Sequence, residues 1–500
     1  MVGGVPAGPA GAGGTLADAA GDLHGRLLRW AARQALAATS VTGISLALGI
    51  CAAAWFSAGT RAAQLDGALA LSASYLAAFA ARQIAGEGGR AAWVVTLGAR
   101  LCDVAALAGL ALGALGQGWT GMWPLAVTVL SLVAVRETMT ACSGPTRPGD
   151  SPAWRTALTV LAMPAGGRVL LIVATAPLWG PRASLLALLD WGIIAVGYGV
   201  GSGTAARRRD RRPPARPRPR SEPGGLSVLL QPPRPAEHAE TTTGPGGQQP
   251  IPVLRMQLAP PPRAISLGPS GGAAAPADTS ELDAVAAEPD SRATAAAAQR
   301  RQATVLRCRD DGAIARWFGR PVRGQLMPLP PALLALAAVA MLARLGLRDL
   351  PGLLILAPAL IMLLAAPGSS HPHGGRLDWL VPAVLQGAQY TYIWALGTAA
   401  GVPGPVSFAL CAVIAVHYAD LGSAGSPALL VPRRARPGPG RAAAERGGWL
   451  GWDGRMIVCG LGAAAGIAMF AYLALAAYLV VLICWKFLTS SHGVGEGDRR

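Results

Sequence analysis

Residues 38–55 read ATSVTGISLALGICAAAW, a stretch of apolar and small residues without a charged side chain. A membrane-spanning helix needs about 20 consecutive, mostly apolar residues, and the uncharged run around this stretch extends from Gln34 to Thr60. Charged residues make up 14% of the 500-residue chain and hydrophobic residues 52%, whereas a soluble domain carries about 25% charged residues. The sequence therefore predicts an all-α, polytopic membrane protein.

Apolar segments of this kind fall into two blocks. The first block has segments at 36–58, 66–81, 91–115, 121–136, 156–178 and 183–203, and the second at 330–347, 351–366, 379–400, 404–420, 456–470 and 471–488. The pattern leaves open whether residues 456–488 form one helix or two. We predict two bundles of about six transmembrane helices each, joined by a disordered basic linker.

Composition marks the domain boundaries. Residues 1–20 are rich in Gly and Ala, residues 204–305 are rich in Arg and Pro, and residues 491–500 form a polar tail. Segments without hydrophobic periodicity cannot bury enough apolar surface to offset the entropy of ordering, so we expect the N-terminus and the linker to be disordered. The membrane bundles then occupy residues 21–203 and 306–490.

Positive charge, +17 in total, is concentrated outside the apolar segments. Its distribution over the connecting segments predicts a multi-pass protein of the cell (inner) membrane, with the N-terminus and the linker in the cytoplasm. A cluster directly after the sixth segment is predicted to contact anionic lipid headgroups: Arg207, Arg208, Arg209, Arg211 and Arg212. One alternative is that the cluster only fixes the membrane topology and binds no specific ligand. Nucleic acid is a less favoured ligand than anionic lipid.

The first block resembles the CDP-alcohol phosphotransferases, membrane enzymes with the signature D-x2-D-G-x2-A-R-x8-G-x3-D-x3-D. Arg82 in SYLAAFAARQ corresponds to the signature arginine, and Gly98 in LGARLCDVAALAGLALG to the second glycine, although the gap between them is too long. The four carboxylate positions hold Ser74, Ala77, Cys102 and Ala106. In the family these carboxylates hold a divalent metal, and the last one is the general base. The resemblance therefore implies a six-helix bundle without the standard activity.

The second block resembles a C-terminal domain of unknown function that accompanies such phosphotransferase-like domains in actinobacterial proteins. This resemblance covers residues 309–489 and rests on RDDG, APGSSHPHGGRLDWLVPA, VPGPVSFALC and GWDGRMIVCG. The block also repeats part of the phosphotransferase signature, with Gly374 and Asp378 in register and Pro382 in place of the final Asp. We interpret it as a candidate degenerate repeat of the first block.

The stretch DDGAIARWFG, residues 310–319, contains D-G-x2-A-R but precedes a span instead of following the second span of a block. We interpret this match as chance and expect Asp310 and Asp311 to cap a surface helix. Other polar residues at span ends are expected to serve as caps, anchors or headgroup contacts: His417, Asp420, Asp453 and Arg455.

The loop APGSSHPHGG, residues 366–375, is a candidate site at the membrane surface. His371, His373 and Asp378 are predicted ligands of a metal or a phosphate. Further phosphate or headgroup contacts are predicted at Ser369, Ser370, Gly374, Arg376 and Arg82. A hydrogen-bonded turn without a ligand is the alternative for this loop.

Arg100 and Asp103 stand at i, i+3 in the third segment and are predicted to form an intramembrane ion pair. Charged residues inside a membrane are candidates for function, and simple bracing of the bundle is the equal alternative. The predicted function is lipid or CDP-lipid binding in phospholipid metabolism, or support of an active partner enzyme. An active transferase with a site rebuilt near Asp378, and a transporter or scaffold, are the alternatives.

The sequence does not identify a cofactor, and Mg²⁺ or Mn²⁺ is expected only if the active-transferase alternative holds. Membrane lipids are the expected partners. An intact phosphotransferase, another membrane protein or a second copy of the chain are further partner hypotheses, and nucleic acid is not favoured.

Overall fold

The structure is a computed structural model. It describes residues 38–85, 89–143, 163–210, 304–306, 308–319, 327–345, 356–370, 375, 377–422 and 450–492. The predicted disordered N-terminus at 1–20, residues 211–303 of the predicted linker, the basic loop at 423–449 and most of the tail lie outside the described residues. Residues 204–210, predicted as part of the disordered linker, are instead helical. Within the described ranges, the regular elements are all helical.

Six helices are described in the first block. They are α1 (Ala38–Ser57), α2 (Arg61–Ala85), α3 (Gly89–Gly116), α4 (Met122–Ser143), α5 (Ala165–Trp179) and α6 (Pro181–Asp210). Each overlaps one predicted apolar segment, because long apolar runs can hide their backbone polar groups in a lipid bilayer only by forming a helix.

Within the described ranges, the second block forms seven helices. They are α7 (Ala313–Gly319), α8 (Leu329–Leu345), α9 (Ala357–Met362), α10 (Val381–Ala399), α11 (Gly404–Gly422), α12 (Trp452–Ala464) and α13 (Ala468–His492). Short 3₁₀ helices follow α9, at Leu363–Ser370, and precede α10, at Asp378–Leu380. The structure resolves the open question at 456–488: a turn at Gly466, where φ is +72°, separates two helices.

Seven of the described helices are long and apolar enough to cross a membrane: α1, α2, α3, α4, α6, α11 and α13. Shorter apolar helices occur at Ala165–Trp179, Leu329–Met341 and Ala357–Gly368. Many large apolar side chains on these helices are exposed, among them Leu69, Leu170 and Phe470. The chain is accordingly a polytopic membrane protein by length and composition of its helices.

The two blocks pack directly against each other. The described residues of both blocks belong to one compact unit, in which α4 contacts α10 and α11, and α3 contacts α11. At this interface the rings of Trp123 and Phe408 are tilted against each other, with their centroids 5.3 Å apart. The sequence predicted two bundles but contained no sign of this interface.

Three tight turns between helices of the first block lie at the same end of the assembly. The turns at Gly59, Gly118 and Gly180 follow α1, α3 and α5, and the Gln117 side chain donates a hydrogen bond of 2.6 Å to the Gly59 carbonyl. We call this the turn end. The opposite end carries Ala85, Ser143 and Asp210 and is called the linker end.

Candidate functional site: polar clusters at the linker end

Four charged side chains from three helices meet inside the first block. Arg168 of α5 lies 2.5 Å from Asp103 of α3 and 3.2 Å from Glu137 of α4. Arg100 also pairs with Glu137, and its Nη1 lies 3.7 Å from Asp103 Oδ2. Both guanidinium groups are buried, whereas 40% of the Glu137 side chain is exposed. We call these residues the four-charge cluster.

Sequence reasoning found only half of this cluster. Arg100 and Asp103 share one helix face, so their spacing predicted a pair. Glu137 and Arg168 come from helices that are distant in sequence, so no local spacing pairs them with Arg100 or Asp103. The available signal was that Glu137 directly follows the segment 121–136 and Arg168 lies inside the segment 156–178, where unpaired charges are costly.

A small cleft of about 30 Å³ lies beside the cluster, between α2, α3 and α5. Three positions of the phosphotransferase signature, Ser74, Arg82 and Cys102, line the cleft together with Asp103, whereas Ala77, Gly98 and Ala106 do not. The Ser74 hydroxyl donates a hydrogen bond of 2.7 Å to the Ser45 carbonyl and lies 3.5 Å from the Cys102 thiol. We call this the α2–α3–α5 cleft.

The donor set of this cleft does not fit Mg²⁺ or Mn²⁺. Hard divalent cations prefer several carboxylate or carbonyl oxygens, but the Ser45, Ser74 and Cys102 side chains are engaged with one another. The carboxylate of Asp103 is paired with Arg168. Within the described ranges, no group of three or more His, Cys, Asp or Glu side chains could hold a metal ion.

A second cavity, of about 150 Å³, lies between the blocks. Arg100 and Glu137 line it from the first block, and Gln386 and Tyr418 line it from the second. The Thr138 hydroxyl donates a hydrogen bond of 2.6 Å to the Gln386 side-chain oxygen across the interface. We call this the inter-block cavity.

A buried network of charges joins three distant segments of the second block. Arg455 Nη2 donates a hydrogen bond of 2.6 Å to Asp310 Oδ2, and His417 Nε2 lies 3.2 Å from the same oxygen. Burial alone would raise the pKa of Asp310, but Arg455 and His417 hold it below its ordinary value. The backbone of Asp310 adopts a φ of +51°, which Asp tolerates better than most residues. We call this the Asp310 network.

Asp311 forms the second branch of the network. Its carboxylate accepts hydrogen bonds of 2.6 Å from Arg309 and 2.8 Å from the Trp452 indole. Arg309 is fully buried and also donates to the Ala365 carbonyl. Burial raises the pKa of Asp311, although Arg309 opposes this effect.

The predicted capping role of Asp310 and Asp311 was wrong. Their side chains point into the network, and Asp453 of α12 accepts hydrogen bonds of 2.8 Å from the amides of Gly312 and Ala315 instead. The cap of α7 is thus supplied from another helix. Gly451 permits this contact, because an added Cβ would lie 2.1 Å from the Gly312 nitrogen.

The expected headgroup contacts of His417 and Asp420 were also wrong. Both side chains are fully buried at the linker end of α11. Asp420 accepts hydrogen bonds of 2.7 Å from the Trp93 indole of α3 and 2.6 Å from Lys486 of α13. Sequence reasoning missed this because all three residues are far apart in the chain.

The loop proposed as a metal or phosphate site is only partly described. Asp378 is buried and accepts a hydrogen bond of 2.6 Å from the Gly375 amide. His371, His373, Gly374 and Arg376, the side chains of Ser369 and Ser370, and the arginine side chains at 207–212 lie outside the described residues. These predicted contacts therefore stay predictions.

Comparisons with known proteins identify one part of the chain. Residues 298–492 match a protein family described as "Family of unknown function (DUF5941)". No curated protein and no solved structure matches the chain. The expectation of a C-terminal domain of unknown function at 309–489 is confirmed, whereas no family match supports the phosphotransferase resemblance of the first block. The match spans α7 to α13 with the complete Asp310 network, and residues 298–492 are a DUF5941 domain.

Proposed function

We propose that this chain is a membrane-embedded lipid-binding protein, related to the CDP-alcohol phosphotransferases but without their metal-dependent activity. The observation that carries the proposal is the convergence of Ser74, Arg82 and Cys102 on the α2–α3–α5 cleft. From sequence alone, Arg82 was aligned with the signature arginine, and Ser74 and Cys102 with positions of signature carboxylates. Their proximity on two helices supports the proposal.

Arg82 is the residue that we expect to bind the lipid phosphate. Its side chain is exposed, lines the cleft near the linker end of α2, and makes no hydrogen bond or ion pair among the described residues. A guanidinium group binds phosphate with two parallel hydrogen bonds. The apolar wall of the cleft, including Leu71, Phe79 and Val169, would contact the glycerol backbone and the first carbons of the acyl chains.

The chemistry of the cleft favours binding over transfer. Deprotonating an acceptor hydroxyl requires a nearby base, but the position of the final signature carboxylate holds Ala106, which is buried in the apolar core. The carboxylate closest to that register, Asp103, is held by Arg168. A lipid would therefore bind without losing its headgroup.

The test uses the full chain in nanodiscs of phosphatidylcholine. We expect native mass spectrometry to detect binding of phosphatidic acid or CDP-diacylglycerol, and Arg82→Gln to weaken this binding about tenfold, the usual effect of losing a charge-assisted hydrogen bond. Arg61→Gln is the matched control, because Arg61 is exposed on the same helix at the turn end. Equal affinities of the two variants would refute the cleft as the lipid site.

A second measurement separates binding from catalysis. CDP-diacylglycerol, Mg²⁺ or Mn²⁺, and glycerol phosphate are incubated with the protein, and release of CMP is measured. We expect no release above the protein-free background. Metal-dependent release that Asp378→Ala abolishes would support the active-transferase alternative. Release that persists in that variant would place an active site elsewhere and would equally contradict the proposal.

A further inference from the structure

The inter-block cavity is distinct from the α2–α3–α5 cleft. Arg100 and Asp103 separate the two: Arg100 lines the cavity, and Asp103 lines the cleft. Helices α3 and α4 form one wall of the cavity, and α10 and α11 form the other. Its volume of about 150 Å³ is far larger than the roughly 10–15 Å³ that one water molecule requires.

Two buried donors on the cavity wall form no hydrogen bond of regular geometry within the described ranges, although Arg100 lies near Asp103 and the Gln386 amide lies near the Tyr390 hydroxyl. They are Nη1 of Arg100, whose side chain is 3% exposed, and Nε2 of Gln386, which is fully buried. The Gln386 oxygen accepts the hydrogen bond from Thr138. A reversed amide would instead donate to the Thr138 hydroxyl, so in either orientation the other polar atom of Gln386 is available to a ligand hydroxyl group. A buried donor without an acceptor lowers stability by about 1–3 kcal/mol. A ligand with oxygen acceptors in the cavity would remove this cost.

The charges around the cavity argue against an anion as that guest. The two arginines and two carboxylates of the four-charge cluster already cancel. An added anion would bring an uncompensated charge into a partly buried site and would lie beside the Glu137 carboxylate, which lines the same cavity. A neutral guest avoids both costs.

The wall offers acceptors as well as donors. Glu137 provides carboxylate oxygens, and Thr96, Thr138 and Tyr418 provide hydroxyl groups beside the free donors of Arg100 and Gln386. A ligand whose groups both donate and accept matches this mixture, and the hydroxyl group does so with one atom. Neutral polyols and sugars carry several hydroxyl groups at close spacing.

We propose that the inter-block cavity binds a neutral, hydroxyl-rich ligand, a polyol or sugar group. Arg100 and Gln386 donate to its oxygens, and Glu137 accepts from its hydroxyl groups. The same chemistry is found in a free small molecule and in the headgroup of a neutral glycolipid. Because 40% of the Glu137 side chain is exposed, a ligand has a path into the cavity along this residue.

The first arm of the test uses free ligands. Binding of glucose and of glycerol to the detergent-purified full chain is measured by saturation-transfer NMR. This readout reports contact directly and is insensitive to the general stabilisation that polyols give to folded proteins. Gln386→Leu removes two donors, and we expect it to weaken binding at least tenfold. Thr138→Val retains the shape of the side chain but frees the Gln386 amide, so we expect a smaller loss, about twofold to tenfold.

The matched control is Thr128→Val. Thr128 is exposed on the same helix, and its hydroxyl donates to the Pro124 carbonyl of its own helix. We expect this variant to bind like the unmodified protein. Should Gln386→Leu fail to fold, Thr138→Val, which is nearly isosteric, still decides the proposal.

The second arm uses lipids. Native mass spectrometry compares nanodiscs of phosphatidylcholine with nanodiscs that also contain monoglucosyldiacylglycerol. Retention of the glycolipid that Thr138→Val weakens, without binding of free sugar, identifies the headgroup as the source. Free-sugar binding with the same sensitivity identifies a small molecule. Either result supports the site.

Three outcomes would overturn the proposal. They are binding of neither sugar nor glycolipid, sugar binding that Thr138→Val and Thr128→Val leave equally intact, and preferential binding of inorganic phosphate that depends on Gln386. Arg82→Gln is expected to leave sugar binding unchanged. Failure of this site and failure of the lipid site can therefore be distinguished.

Discussion

Asp310 and Arg455 are 145 residues apart in the chain and joined by a hydrogen bond of 2.6 Å that is closed off from solvent. This bond connects the segment before α7 to the start of α12, and His417 adds the end of α11. The linker enters the DUF5941 domain just before this point. The Asp310 network therefore fixes where the chain returns to the membrane helices after the linker.

Removal of Asp310 should strongly destabilise the DUF5941 domain. Asp310→Ala leaves Arg455 buried without its carboxylate, and breaking a buried ion pair in this way costs about 3–5 kcal/mol. The free energy of unfolding in mixed detergent micelles measures the effect. The control is Asp66→Ala, because Asp66 is exposed. Replacing both partners, as Asp310→Leu with Arg455→Met, should cost less than the sum of the single changes. A loss below about 1 kcal/mol in Asp310→Ala would contradict a structural role for the network.

The two aspartates should give opposite pH dependences. The pKa of Asp310 is lowered in the folded state, so its contribution to stability is complete above the unfolded pKa of about 3.9 and is lost as the pH falls through the folded pKa. The pKa of Asp311 is raised, so the folded state binds its proton more tightly. Stability then decreases as the pH rises from about 4 through the folded pKa of Asp311.

Asp310→Asn separates these contributions. The variant should lose the stability decrease below about pH 4 but keep the decrease that Asp311 causes above it. Unfolding midpoints measured from about pH 3 to about pH 8 test this difference. Identical pH profiles for the variant and the unmodified protein would show that Asp310 is not held as a carboxylate by Arg455.

The sequence located the helices but not the polar clusters, for a physical reason. It overestimated the spans: six were predicted per block, whereas seven described helices are long and apolar enough to cross a membrane, and two of these lie in the second block. Apolar segments such as residues 36–58 are local signals, since lipid solvation depends on each stretch by itself. Pairing of Asp420 with Trp93, or capping of α7 by Asp453, depends on how distant helices pack. Asp310 and Asp311 precede a helix, so local rules assigned them to its cap. In the structure, both carboxylates instead accept hydrogen bonds from buried arginine side chains.

Close contact between α1 and α3 should make Gly113 intolerant of any side chain. A Cβ at this position would lie 2.1 Å from the Phe56 carbonyl oxygen of α1. Gly113→Ala must therefore push the helices apart, and we expect a loss of about 1–3 kcal/mol, the usual cost of overpacking. Gly116→Ala is the control on the same helix, because its Cβ would meet no atom within 4 Å. Thermal unfolding of the two variants should differ clearly, and equal midpoints would exclude close packing of these helices.

The linker end should face the cytoplasm. The positive-inside rule supports this orientation, because the arginine-rich segment after α6 lies at that end. In a cysteine-free background, Thr60→Cys at the turn end should react with a membrane-impermeant maleimide on intact cells. Ser270→Cys in the linker should react only after lysis. The reverse pattern would invert the proposed topology.

The bond between Trp93 and Asp420 should stabilise the association of the two blocks. The indole donates across the block interface to a fully buried carboxylate at 2.7 Å, and a hydrogen bond to a charged group contributes about 1.5–3 kcal/mol. A protease site inserted in the linker allows the blocks to be separated after folding, and a tag on one block then recovers the other. Trp93→Phe keeps an aromatic ring near Phe487 but removes the donor, so the halves should separate at a lower concentration of denaturing detergent. Trp55→Phe is the control, because Trp55 is 48% exposed on α1. If the two variants separate at the same detergent concentration, the bond between Trp93 and Asp420 does not contribute measurably to the association of the two blocks.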